Sequence, residues 1–212
     1  AYMLAFARKQ PWLDEEMKKG HWEKLIGRSL AECSLGVIGL GYIGKEVVRK
    51  AFHFRMKLYG TDVIEIPKDF LDAYNVDFVS LEELLEKSDF ISVNCDLNPT
   101  SHHLLDEFAF KKMKPGAVVI NTARGPIIDE PALVRALQEN RISGAALDVF
   151  EVEPLPEDSP LLEMEQVMLA PHNSNSSPRA WENVHWNTIR NLLEGLHIPH
   201  DDFSRIRSEH EG

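Results

Sequence analysis

Three segments of the chain end apolar runs with side chains able to handle charge and protons. They are Asn121-Thr122-Ala123-Arg124-Gly125, Asp148-Val149-Phe150-Glu151-Val152-Glu153-Pro154, and Ala170-Pro171-His172-Asn173. An arginine, a carboxylate and a histidine converging on one crevice suit hydride exchange at a carbon next to a carboxylate, as in reduction of a 2-keto acid. The histidine is the natural proton donor near neutral pH. A carboxylate beside it favours the imidazolium and fixes the ring. The arginine can bind a substrate carboxylate by paired, charge-assisted hydrogen bonds and polarise the carbonyl. Singly, each has a plainer alternative: Arg124 as a structural loop arginine, Glu153 as an acid preceding Pro154, His172 as a loop histidine with its bonds satisfied. Their joint placement carries the chemical reading.

A fourth segment could hold the hydride carrier. Gly39-Leu40-Gly41-Tyr42-Ile43-Gly44 is a GxGxxG that follows an apolar run and opens a helical pattern. Gly39 permits the tight turn, Gly41 lets the backbone approach a pyrophosphate, and Gly44 lets helix and strand pack closely. The helix N-terminus at Tyr42 and Ile43 then presents unpaired N–H groups and a partial positive charge to that anion. Asp62 follows Gly39 by 23 residues, at the end of the next apolar run. There it can accept hydrogen bonds from a ribose diol and repel a 2′-phosphate, and Val63 and Ile64 offer no compensating arginine. The pattern predicts NAD rather than NADP. Without a ligand, the same residues read as a glycine-rich turn and a turn aspartate.

Positioning these residues requires a parallel sheet with crossover helices. Apolar runs rich in aliphatic residues fall at Leu35–Gly39, Met56–Asp62, Phe90–Asn94, Ala117–Asn121, Gly144–Asp148 and Val167–Ala170. Their near-continuous apolar character predicts strands covered on both faces. Between them, Ile43–Phe52 reads as a helix, and Asp129-Glu130-Pro131 opens another whose buried face is Leu133, Val134 and Leu137. Ser177-Pro178 starts a long final helix carrying Trp181, Val184, Ile189, Leu192, Leu193 and Leu196. The expected fold class is α/β: a doubly wound parallel sheet of Rossmann type, with ligands at the carboxyl ends of the strands.

Composition agrees. The chain has 212 residues, 43% hydrophobic and 27% charged, as in an ordinary globular protein. A net charge of −11 argues against nucleic-acid or anionic-membrane partners, which demand a positive surface. Cys33 and Cys95 lack metal-ligand spacing and read as reduced, hence an intracellular, cytoplasmic protein, with a single disulfide as the alternative. His102 and His103 lack a third ligand at useful spacing, so no metal is assigned. Ala1 opens inside an apolar, helix-like pattern without an initiator methionine, so sequence upstream is expected to be missing.

INTARGPIIDEPALVRAL, GAALDVFEVEP and LAPH, with GLGYIG upstream, resemble the signature segments of the D-isomer-specific 2-hydroxyacid dehydrogenases. The resemblance runs from about Gly20 to Leu196. It implies an NAD-dependent oxidoreductase acting on a small 2-hydroxy or 2-keto acid, with Arg124, Glu153 and His172 as the catalytic set. It places Asp148 on the nicotinamide side of the cofactor, and Thr122 and Ala123 join Gly39, Gly41, Tyr42, Ile43, Gly44 and Asp62 as cofactor contacts. It further implies a homodimer through the cofactor domain. The implied organisation is residues 1–19 as the remnant of an interdomain helix, 20–176 as the NAD-binding domain, 177–199 as a helix returning towards an absent substrate domain, and 200–212 as a polar tail.

The chain departs from the family's pattern twice. Asn94-Cys95-Asp96-Leu97-Asn98 stands where many members have His-x-Pro-Leu-Thr, which puts the charge of Asp96 near the cofactor wall. Asn173-Ser174-Asn175-Ser176 replaces small, glycine-rich residues. Cys95, Leu97 and Asn98, followed by His102-His103-Leu104, are similar to the C-terminal-binding-protein branch, which gives a second reading: an NAD-sensing, dimeric corepressor-like protein. Formate oxidation is disfavoured, because glutamine would stand at Glu153. Phosphite oxidation tolerates the same triad.

Overall fold

Every apolar run named above contains a strand in the computed structural model, which describes residues 1–198. The strands are β1 (Ser34–Ile38), β2 (Lys57–Thr61), β3 (Val76–Phe78), β4 (Phe90–Val93), β5 (Val118–Asn121), β6 (Gly144–Leu147) and β7 (Val167–Leu169). They form one parallel sheet in the order β3-β2-β1-β4-β5-β6-β7. β1, β4, β5 and β6 are buried at every position. Burial on both faces is why their sequences run apolar instead of alternating. β3 is the strand the sequence did not announce. It lies at the edge, three residues long with only Val76 buried, and so needs no apolar run.

Strand side chains alternate between faces, and here they feed two separate cores. Leu35, Val37, Val118, Ile120 and Ala146 pack in one with Val48 and Ala51 of α3 (Tyr42–His53) and Ala7 of α1 (Tyr2–Arg8). Ile38, Val119, Ala145 and Leu147 pack in the other. That second core is covered by α5 (Leu81–Lys87), α6 (Glu107–Lys112) and α7 (Glu130–Gln138), with Leu84, Phe110 and Leu133 among the contacts. The sheet is therefore doubly wound, as expected. α4 (Lys68–Ala73), α5 and α6 are one or two turns long, too short for a helical period to stand out.

Residues 1–19 hold two helices, not one. α1 stops at Lys9, whose φ of 52° is left-handed, and α2 (Gln10–Lys18) restarts with Pro11 in its first turn. Proline donates no N–H and is tolerated only where a helix begins, which explains the break.

Register decides what the sheet presents. Ile38 pairs with Thr61 and with Val93, Val93 with Asn121, Asn121 with Leu147, and Leu147 with Leu169. The strands thus end level, and the residues that follow them emerge along one edge. Between β1 and β4 the winding reverses, which is where such sheets open a ligand crevice.

Residues Ala1–His172 form one compact unit, and a second begins at Asn173. The second contains α8 (Pro178–Gly195), capped by Ser177, whose Oγ accepts from Ala180 N at 3.1 Å. Trp181, Val184 and Leu192 of α8 are each more than half exposed. Pro199 and the predicted polar tail lie outside the described residues.

Candidate active site

The glycine turn divides its labour as the spacing predicts. Gly39 has a φ of 87°, and a Cβ there would stand 2.5 Å from Cys95 N. A Cβ on Gly44 would lie 1.9 Å from Gly39 O, so both positions exclude a side chain by packing. A Cβ on Gly41 would meet nothing within 4 Å: the space above it is open. Gly41 is also the N-cap of α3 and gives the first turn no side-chain acceptor. The leading N–H groups of this helix therefore need an outside partner, and an anion is the favoured one. Tyr42 and Ile43 beside them are exposed.

Asp62, just past β2, is half-buried and held at the rim. Its Oδ2 accepts from Leu40 N at 2.6 Å and its Oδ1 from Ile64 N at 3.2 Å. Each oxygen keeps lone pairs for a hydroxyl donor. Val63 and Ile64 are exposed at the same rim and bring no positive charge. Open space over Gly41, an uncapped helix start and a fixed carboxylate together fit a dinucleotide with a free 2′-hydroxyl.

The facing wall comes from the segment after β4. Cys95, Asn98, Thr100, Ser101 and Leu104 line a cavity with Ile38, Gly39, Thr61 and Asp62. Sequence reading placed the charge of Asp96 near the cofactor wall, named Cys95, Asn98 and Leu104 only for a family likeness, and missed Thr100 and Ser101. The available signal was the turn-forming run Asn98-Pro99-Thr100-Ser101, in which Asn98 Oδ1 accepts from Thr100 N at 2.8 Å and Ser101 Oγ donates to Asp96 O at 2.5 Å. Asp96 itself is exposed. Both cysteines are free thiols, and burial pushes each above its usual range.

At the end of β5, Asn121 builds the turn that carries Arg124. It is 1% exposed. Its Oδ1 accepts from Ala123 N at 3.0 Å, and its Nδ2 donates to Arg124 O at 2.9 Å. Arg124 is exposed, with Nη1 donating to Ala123 O at 2.6 Å, while Thr122 and Ala123 are half-buried at the base of the turn. Gly125 then passes so close to the next turn that a Cβ would meet Phe150 O at 1.8 Å.

That next turn, after β6, bears Glu153. Phe150 N donates to Glu153 Oε1 at 3.0 Å, and His172 Nδ1 meets Glu153 Oε2 at 2.8 Å. The hydrogen bond from His172 holds the Glu153 carboxyl below the ordinary glutamate range. Burial opposes this, while the Phe150 amide and the charges of His172 and Arg124 support it. His172, three residues past β7, has a left-handed φ of 52°, which few residues other than glycine adopt. An apolar hollow of about 560 Å³ lies beside the pair, walled by Phe150, Leu155, Leu162 and Leu169. Glu153 and His172 are thus in direct contact, and Arg124 is within electrostatic reach.

Asp148 directly follows β6 at the same edge. It is 1% exposed, with its amide on Asn121 O at 3.0 Å. Its negative charge reaches the Tyr2 phenol, whose pKa is raised first by burial and then by Asp148.

Residues 1–174 match the family described as “D-isomer specific 2-hydroxyacid dehydrogenase, NAD binding domain”. The chain is 39% identical over 183 residues to a glyoxylate reductase of Korarchaeum cryptofilum, covering 84% of this chain and 55% of that protein. It is 41% identical over 181 residues to a D-3-phosphoglycerate dehydrogenase of Methanocaldococcus jannaschii, covering 84% of this chain and 34% of that one. Among solved structures, a D-lactate dehydrogenase of Aquifex aeolicus in complex with NAD and lactic acid superposes with a TM-score of 0.85 at 30% identity. The match covers 92% of this chain and 63% of that one. The chain therefore spans about half the length of its reductase relative. Fold, site and sequence agree: the chain belongs to the D-isomer-specific 2-hydroxyacid dehydrogenase family, over its NAD-binding domain.

Proposed function

We propose that this chain is the cofactor-binding part of an NAD-dependent oxidoreductase that interconverts a small D-2-hydroxy acid and its 2-keto acid. The observation that carries the proposal is the Glu153–His172 hydrogen bond, at the sheet edge that also carries the glycine turn and Asp62. Bound NADH supplies the hydride. With Nδ1 committed to Glu153, His172 Nε2 is the nitrogen left to give a proton to the substrate's carbonyl oxygen. Glu153, held ionised, stabilises the charged ring that precedes this transfer. Arg124, exposed and with N–H donors beyond the one given to the Ala123 carbonyl, binds the substrate carboxylate. Asp148 and the Thr122-Ala123 turn face the nicotinamide half, and the Gly39–Gly44 turn and Asp62 hold the adenosine half.

In this reading residues 20–176 are the NAD-binding domain, residues 1–19 link it to a substrate domain, and the helix from Ser177 returns towards that domain. The protein is cytoplasmic and works as a homodimer. The relatives' names include glyoxylate and 3-phosphoglycerate among their substrates, and we propose a substrate of this small, anionic class.

Calorimetric titration of this chain with NADH and NADPH tests the cofactor half, with Asp62→Ala as the control. NADH should bind, NADPH should bind at least about tenfold more weakly, and the substitution should narrow the gap. Equal binding of the two would remove Asp62 from cofactor selection. For the reaction, the full-length protein should oxidise NADH with 2-keto acids and yield the D-hydroxy acid. Failure with every small 2-keto acid tried would reject the proposed activity.

A further inference from the structure

Glu151 shares a turn with Glu153 yet gives its carboxylate to another partner, His103 Nε2, 48 residues away in sequence. Its amide is tied as well, donating to Glu130 Oε2 at 3.2 Å at the start of α7. His103 is itself fixed. Its N–H donates to Pro126 O at 2.8 Å, its φ is 50°, and its ring stacks on His102 at 4.1 Å between centroids. Two residues on, Leu105 forms a parallel bridge with Ile128. The segment after β4 is thereby stitched to the segment that follows Arg124. The same segment lends Ser101 and Leu104 to the cofactor cavity.

This arrangement bears on the Glu153–His172 pair. Glu153 Oε1 is held by Phe150 N of its own turn, so any change in the turn's pose carries Oε2 away from His172. One side of the turn rests on Gly125, a backbone contact without a side chain to grip it. The Glu151–His103 pair is a side-chain tie between the turn and the wall of the cofactor cavity. We infer that His103 is a positioning residue: by holding Glu151 it sets the pose of the Phe150–Glu153 turn, and through Glu153 the orientation of His172. The inference rests on Glu153 and His172 having the roles proposed above. Misplacing a reacting group by about 1 Å can cost about 100-fold in rate, so a loosened tie should be visible in turnover.

The test is steady-state kinetics on the full-length protein with its best 2-keto acid, comparing wild type with His103→Ala and His103→Gln. His103→Ala should lower kcat by at least about tenfold and leave KM and NADH affinity within about twofold, as expected for loss of an interaction that matters only in the transition state. His103→Gln can still donate an N–H to Glu151 and should recover most of the lost kcat. Glu151→Ala should reproduce the alanine phenotype from the other side, and it carries the test if His103→Ala does not fold. Wild-type kcat in both alanine variants, a glutamine variant as impaired as alanine, or kcat and NADH affinity falling together would each overturn the inference. A wild-type enzyme that reduces no 2-keto acid would instead overturn the reading beneath it.

Discussion

At Glu153, hydrogen bonding prevails over burial. The bond from His172 and the amide of Phe150 keep the carboxylate ionised below the pH range of an ordinary glutamate, although burial pulls the other way. The sign matters for function: a carboxylate that stays charged on acidification keeps a negative charge against the His172 ring. His172→Ala in the full-length protein should cut turnover by at least ~100-fold, the usual scale for a general acid, and leave NADH affinity nearly intact. Turnover unchanged by this substitution would take His172 out of the mechanism. Joint placement at strand ends suggested a carboxylate beside the histidine, and the family resemblance singled out Glu153; the contact itself is the hydrogen bond of the folded chain. Sequence did not show that Asn121 shapes the Arg124 turn through both ends of its amide, since an asparagine after a strand has many possible uses.

The elements are held level by a second constellation, at the opposite ends of the strands. Asp89, just before β4, accepts from Ser34 N and Ser34 Oγ at the start of β1, both at 2.7 Å. It also accepts from Lys114 Nζ at 2.9 Å, ahead of β5, and from Arg28 at 3.3 Å. Burial alone would raise its pKa, but these donors outweigh burial and bring it down to about 2. A depressed carboxylate stabilises the fold above its unfolded pKa, and that contribution is lost as pH falls through the folded one. Asp89→Asn should therefore cost on the order of 2 kcal/mol near neutral pH. The difference from wild type should shrink between about pH 4 and pH 2, as followed by urea denaturation across that range. A pH-independent difference would assign the loss to packing instead. At this scale the sequence was legible wherever burial is two-sided, as in β1 and β4–β6. It was silent where an element is short or one-sided, as in β3, α4 and the break at Lys9.

For the whole molecule, a charge of −11 and an edge of strand ends sharing one crevice are consistent with a protein that binds small anions at a few chosen cations. Trp22 and Ile26 stand out on the first compact unit. They are 80% and 89% exposed on a stretch without helix or strand. Apolar side chains of this size are unfavourable in water at about 25 cal/mol per Å². Covering them is a role for the second copy in the proposed homodimer. Light scattering on this chain should give twice the monomer mass, and Trp22→Ser combined with Ile26→Ser should shift it to monomer while NADH still binds. A wild-type monomer at micromolar concentration would refute the dimer. From the segment similar to the C-terminal-binding-protein branch, Cys95 and Asn98 line the cavity beside Gly39 and Asp62.

Local information alone determined six of the strands, the glycine turn and the acid at Asp62, because backbone conformation, apolar runs and short spacings are written in neighbouring residues. It also determined which residue types were present to do chemistry. Tertiary structure alone decided that β4 lies beside β1, and so which segment walls the cavity beside Gly39 and Asp62. It alone joined Glu153 to His172 and Glu151 to His103, 19 and 48 residues apart. Such pairings depend on strand order and level register, and these are set by how a whole sheet buries its two faces, which no short window of sequence contains.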